Sequence, residues 1–263
     1  MKNESTKFSL RDIIVIGLFA AICYVALEAF KIPIPSPVGK PFLHMGNMFV
    51  ILASLLFSGV TGGLSGSIGM GLWDILHGYG DTSYKTFILK FGIGFFTGLV
   101  ASKGHKKEAK SPRAYLGIAA GFFLILGVLF LYLALNVGNV ITVAGVEKQL
   151  VISPFLYIFA LVVGIALLIT CFSLKNISVK MQYAILGAVA GITFNLIGEF
   201  LFTAVTLMLA GSHVTPALLA AAVNLPATII NGSFSIIVAV ILYAPLSKAL
   251  AKSGLKISHA ANQ

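Results

Sequence analysis

The sequence predicts an all-α integral membrane protein, and three observations predict it. First, 58% of its 263 residues are hydrophobic, only 10% are charged, and the mean hydropathy is +1.00. A soluble domain carries about 25% charged residues. Second, apolar runs of the length a bilayer crossing needs, about 20 residues, recur along the whole chain. Third, the net charge of +10 is concentrated in short segments between those runs. That is the positive-inside pattern of a membrane protein, not the footprint of a nucleic-acid binder.

The expected spans are 12–30, 43–59, 62–78, 85–102, 114–135, 153–174, 182–210 and 217–247. The first run lacks a clear small-residue cleavage site and is expected to stay as a membrane helix. Gly17, Ala20 and Ala21 give it a small-residue face, which suits either packing inside the bundle or docking of a second membrane subunit. Residues 31–42 (KIPIPSPVGKPF) hold four prolines and should be stiff and extended. They form either a plain connector or a lid.

The second and third spans are short and meet in a tight turn near Gly59–Gly62. The segment GVTGGLSGSIGMG at 59–71 lets neighbouring backbones approach closely. It is not a phosphate-binding loop, because that loop needs a lysine and none occurs between Lys40 and Lys85. Merging these two spans would give seven helices. Charge favours eight. With Lys2, Lys7 and Arg11 inside, eight spans also place the 103–113 cluster, Lys175, Lys180, Lys248, Lys252 and Lys256 inside. Both termini are then expected in the cytoplasm, in a multi-pass protein of the plasma membrane.

The spans at 114–135 and 153–174 carry no charged side chain and read as a peripheral hairpin. Cys23 and Cys171 lie inside apolar runs, so neither a disulfide framework nor a metal cluster is expected.

On this topology the polar residues within spans fall in the outer half. They are Glu28, Asn47, Asp74, His77, Lys90, Asn195, Glu199 and Asn224, with Asn231 near mid-depth. An ionisable group in hydrocarbon is costly and normally faces a protein interior or a wet cavity. One depth suggests one pocket, open to the outside. Asn195 and Glu199, four apart, share a helix face. They could stitch helices together or anchor a polar ligand. Asn224 and Asn231, two turns apart, offer donors and acceptors suited to a heterocycle, or to interhelical hydrogen bonds. Lys90 could snorkel, pair with Glu199 or Asp74, or hold an anionic or carbonyl group. Trp73, Asp74 and His77 could grip a flat ring at the rim, though Trp73 equally suits an interface anchor. An Asp/His pair alone does not make a metal site.

The stretch PIPSPVGKPFLHMGNMFVILASLLFSGVTGG, then YKTFILKFGIGFFTGLVA, and the ending LPATIINGSFSIIVAVILYAPLSKAL carry a resemblance. The chain resembles the substrate-binding (S) components of energy-coupling factor (ECF) vitamin transporters, most specifically in the HMGN and TFILKFG segments. The resemblance implies a six-helix bundle, here with a hairpin inserted at 114–174 in a single transmembrane domain of 1–263. It implies no catalysis and no cofactor on this chain. It also implies capture of a water-soluble vitamin and docking on a transmembrane coupling subunit. Two cytoplasmic ATPase subunits of that complex would use the ATP. An AxxxA docking motif is expected on the first helix, and Gly17-xxx-Ala21 is its nearest match. The resemblance implicates Lys90, Asn195, Glu199, Asn224 and Asn231, with Trp73, Asp74 and His77 at the rim. A pyridoxine-like or hydroxymethylpyrimidine-like ligand is the first expectation, and riboflavin the next.

Two other readings compete. An autonomous ion-coupled carrier often shows internal repeats and midplane charges, and neither is evident. An intramembrane enzyme would need a nucleophile–base pair or a metal constellation at one depth. His44 and His77 lack the accompanying motif.

Overall fold

The computed structural model describes residues 8–33, 42–136, 140–141, 150–151, 154–223 and 225–253. They are overwhelmingly helical: α1 Leu10–Ala29, α2 Gly46–Leu56, α3 Gly59–Leu76, α4 Ser83–Ala101, α5 Arg113–Asn136, α6 Pro154–Ser173, α7 Val179–Leu209, α8 Val214–Val223 and α9 Leu225–Lys252. Among the described residues, five helical stretches are long and apolar enough to cross a membrane. The chain is therefore an all-α, multi-pass membrane protein. Two short antiparallel strands, β1 Ile32–Pro33 and β2 Phe42–Leu43, pair at the base of the proline-rich segment. Residues 34–41 of that segment, read from the sequence as either a connector or a lid, lie outside the described residues, as does Asn224.

The chain divides into two compact units, one formed by residues up to 109 and from 183 onward, the other by 110–182. The first unit holds the polar residues of interest.

Local sequence sets where its helices begin and end. Ser9 and Asp12 form a reciprocal capping box at the start of α1. The Ser58 hydroxyl accepts the Thr61 N–H and starts α3. At the other end of α3, Gly78 takes a left-handed conformation (φ 85°), and the Tyr79 N–H reaches back to the Asp74 carbonyl at 2.9 Å. This Schellman stop fixes the orientation of the Trp73–Asp74 turn. Gly211 (φ 90°) ends α7 in the same way, with Ser212 N–H on Leu207 O at 3.0 Å.

Glycine decides the packing of α3. On one face, Gly59 and Gly63 meet Gly98 and Gly94 of α4, four residues apart on each helix, so the two backbones touch. A Cβ at Gly63 would stand 2.7 Å from the Phe91 carbonyl oxygen. On another face, Gly62 and Gly66 seat Ser54 and Val50 of α2, and Gly69 lies against the Ala20 carbonyl of α1.

α2 has 11 residues, and all but one are buried. At ~1.5 Å per residue it is about 16 Å long, roughly half a hydrocarbon core of ~30 Å. Span 43–59 is thus a core helix too short to cross alone. Hydropathy does not distinguish burial in protein from burial in lipid. α4 then lies along α7, with Gly187 and Gly191 against Thr97 and Ile93, and Gly198 against Leu89.

In the second unit, α5 and α6 pack by reciprocal insertion, Leu161 at Gly127 and Leu124 at Gly164. Arg113 Nε donates to the Cys171 carbonyl at 2.9 Å. Gln182, 3% exposed, donates to the Leu174 and Ile177 carbonyls. Ile118, Phe122 and Ile125 on α5 are exposed, as expected of side chains solvated by lipid.

Candidate functional site

A cavity of about 220 Å³ lies in the first unit where the end of α3 and the start of α4 converge. α3 supplies Met70, Trp73 and Asp74. The turn supplies Tyr79 and Thr82, and α4 supplies Lys85, Thr86 and Lys90. Leu27, Phe42, His44 and Glu199 complete the lining.

Trp73 forms the aromatic wall and is 4% exposed. His77 stacks on it at 4.3 Å and 9°, Tyr79 at 5.8 Å and 20°, and Phe42 meets it obliquely at 6.1 Å. The Lys31 ammonium lies 4.6 Å from its ring centre, within cation–π range. A single carboxylate oxygen of Glu28 organises this rim. It accepts the Trp73 Nε1–H at 2.7 Å and a Lys31 Nζ–H at 2.8 Å, and it lies 3.2 Å from His77 Nε2. His77 Nδ1 is 2.8 Å from the Trp73 carbonyl. The indole is therefore held in plane and at its edge by contacts within the chain.

The opposite wall is polar. Lys85 and Glu199 form an ion pair at 2.9 Å. One and a half turns deeper on α4, Lys90 is 6% exposed and donates to Asn195 Oδ1 at 3.2 Å. Asp74 is half-buried, has Thr86 as its hydroxyl neighbour, and stands within electrostatic reach of Lys90, Lys85 and Glu199. The four-residue spacing of Asn195 and Glu199 presents both side chains to α4, each meeting a lysine.

Trp73, Asp74, Lys90 and Glu199 thus share the cavity wall. Asn195 stands behind Lys90, and His77 backs Trp73 from outside the lining. Asn47 and Asn231 are buried and do not line the cavity. Asn231 donates to the Phe42 carbonyl at 3.5 Å, and the Oδ1 atoms of both asparagines have no partner among the described residues. Of the small-residue face on α1, Gly17 and Ala21 are exposed, and a Cβ at Gly17 would meet nothing within 4 Å. Ala20 is instead buried against Gly69 of α3. Its backbone packs within the chain's own bundle, so only the 17/21 pair is open to a partner.

Phe42, His44, Lys85 and Thr86 belong to the lining and were not among the sequence candidates. Thr86 carries a signal, since it precedes Lys90 by four residues on one helix face. Phe42 and His44 carry no periodic signal, because they sit on a short strand and a turn. Among the described residues, no three His, Cys, Asp or Glu side chains are placed to hold a metal ion.

Comparison with known proteins agrees with this architecture. A curated Pyrococcus woesei protein, described as an uncharacterized protein in gap 3'region, is 29% identical over 104 residues, 39% of this chain and 67% of that protein. No solved structure matches the chain. The family described as "ECF-type riboflavin transporter, S component" matches residues 7–157, more than half of the chain. The chain belongs to that family, and so is a membrane transport subunit and not an enzyme.

Proposed function

We propose that this chain captures a compact, ring-containing, water-soluble vitamin or vitamin precursor from outside the cell. The convergence of Trp73, Asp74, Lys90 and Glu199 on one cavity carries this reading. An aromatic wall grips a flat ring by stacking, and a few placed polar groups fix its orientation. At about 220 Å³ the cavity is smaller than the roughly 300–1,000 Å³ clefts that take drug-sized ligands. A single-ring ligand of pyridoxine or hydroxymethylpyrimidine type therefore comes first. Riboflavin is the second reading, favoured by the description of the family.

Both termini are cytoplasmic in this reading, and the cavity opens outward. Delivery follows docking on a membrane coupling subunit energised by two ATPase subunits, as family membership suggests. The exposed Gly17-xxx-Ala21 face of α1 is the docking candidate. The test is mass spectrometry of small molecules released from purified, denatured protein after expression in a vitamin mixture. A stoichiometric vitamin-like compound, lost in Trp73→Ala, is expected. Well-folded protein that retains no such compound would contradict the reading.

A further inference from the structure

Four carboxylate and ammonium side chains line the cavity, and they are not equivalent. Lys85 and Glu199 satisfy each other at 2.9 Å. Lys90 and Asp74 are left over. Among the described residues neither has an opposite charge within 4.0 Å, and they do not pair with each other although both line the same cavity. Each has a neutral neighbour instead, Asn195 for Lys90 and Thr86 for Asp74.

The Lys90 ammonium has three N–H donors, and among the described residues one is engaged, by Asn195 Oδ1. It is 6% exposed. A buried ammonium with only a neutral partner is strongly disfavoured unless a counter-charge or a dense set of acceptors completes its shell. The cavity is the space left for that complement. Asp74 presents the reverse requirement on the same cavity: a carboxyl with acceptor capacity beyond Thr86.

We propose that the cavity is a two-pole site selecting an amphoteric ring. Lys90 takes an anionic or strongly accepting oxygen on one edge of the cargo, Asp74 takes a donor on another edge, and Trp73 takes the ring face. This rests on the capture reading above and adds the charge pattern of the cargo. A uniformly neutral ring leaves both poles without a counter-charge, and a purely anionic or cationic one leaves one of them so. Lys85 and Glu199, already paired, shape the wall without selecting charge.

The test is calorimetric titration of the purified full-length protein with three probes. Pyridoxine carries a phenolic oxygen and a basic ring nitrogen, nicotinamide is a neutral single ring, and riboflavin is a larger neutral ring system. The expected result is one-to-one binding of pyridoxine, with nicotinamide at least tenfold weaker. Lys90→Gln and Asp74→Asn should each weaken pyridoxine at least tenfold, and Lys90→Arg should recover part of the loss. A retained melting transition in each variant separates this from misfolding. Riboflavin bound one-to-one with equal affinity by wild type, Lys90→Gln and Asp74→Asn would overturn the two-pole site and leave the capture reading standing. Folded wild-type protein that binds none of the three, and does not bind hydroxymethylpyrimidine either, would overturn both.

Discussion

At the residue scale, the rim is organised by a side chain that the cavity does not contain. Glu28 gathers Trp73, Lys31 and His77 on one oxygen. Its position at the end of the first span marked it as a costly acid in the sequence, and Lys31 three residues on is a local partner, but Trp73 and His77 are 45 and 49 residues away and no local pattern names them. Glu28→Gln should keep the fold and weaken the charge-assisted hold on the indole edge. The expected outcome is a several-fold loss of vitamin affinity, with a shift in Trp73 emission measured by fluorescence. Lys90, Asp74 and Glu199 were legible as candidates because charge is rare in an apolar span. Which lysine is spent in a salt bridge and which faces Asn195 required the packing of α4 on α7.

At the scale of elements, the glycine-rich segment was legible as a close-packing stretch, and α3 does pack in that way. Its partners were not legible, because GxxxG spacing states how near a neighbour comes and not which neighbour it is. Gly63→Val places a side chain against the Phe91 carbonyl of α4. Overpacking typically costs about 1–3 kcal/mol. The variant should therefore melt measurably lower in detergent and bind ligand more weakly, since α3 and α4 carry Trp73, Asp74 and Lys90. Gly17→Ala meets nothing within 4 Å. It should melt at or slightly above the wild-type temperature, because alanine favours an exposed helix by ~0.5–1 kcal/mol. α2 is the element whose sequence misleads most. Its apolar run looks like a lipid crossing, yet its burial on almost every side comes from α1, α3, α4 and α9.

At the scale of the whole molecule, hydropathy, charge and span spacing suffice to give the class. They do so because lipid imposes one backbone solution on a long apolar segment, the helix. The cavity is less legible because it is assembled from a strand, two turns and four helices spread over residues 27 to 199. A capture subunit and an autonomous carrier differ at this scale. Vesicles containing this chain alone should bind vitamin without accumulating it, and uptake should appear only with coupling and ATPase subunits present. Accumulation by the chain alone would favour the carrier.

The central claim, that the Trp73 cavity is the capture site, has a direct optical test. Trp73 is the chain's single tryptophan, so intrinsic emission reports on that wall alone. Purified protein should be titrated with pyridoxine, hydroxymethylpyrimidine and riboflavin while Trp73 emission and calorimetric heat are followed in parallel. The account predicts that at least one of them gives saturable quenching, with the same midpoint and one-to-one stoichiometry in both signals. Calorimetric binding with no change in Trp73 emission would place the ligand elsewhere and contradict the account.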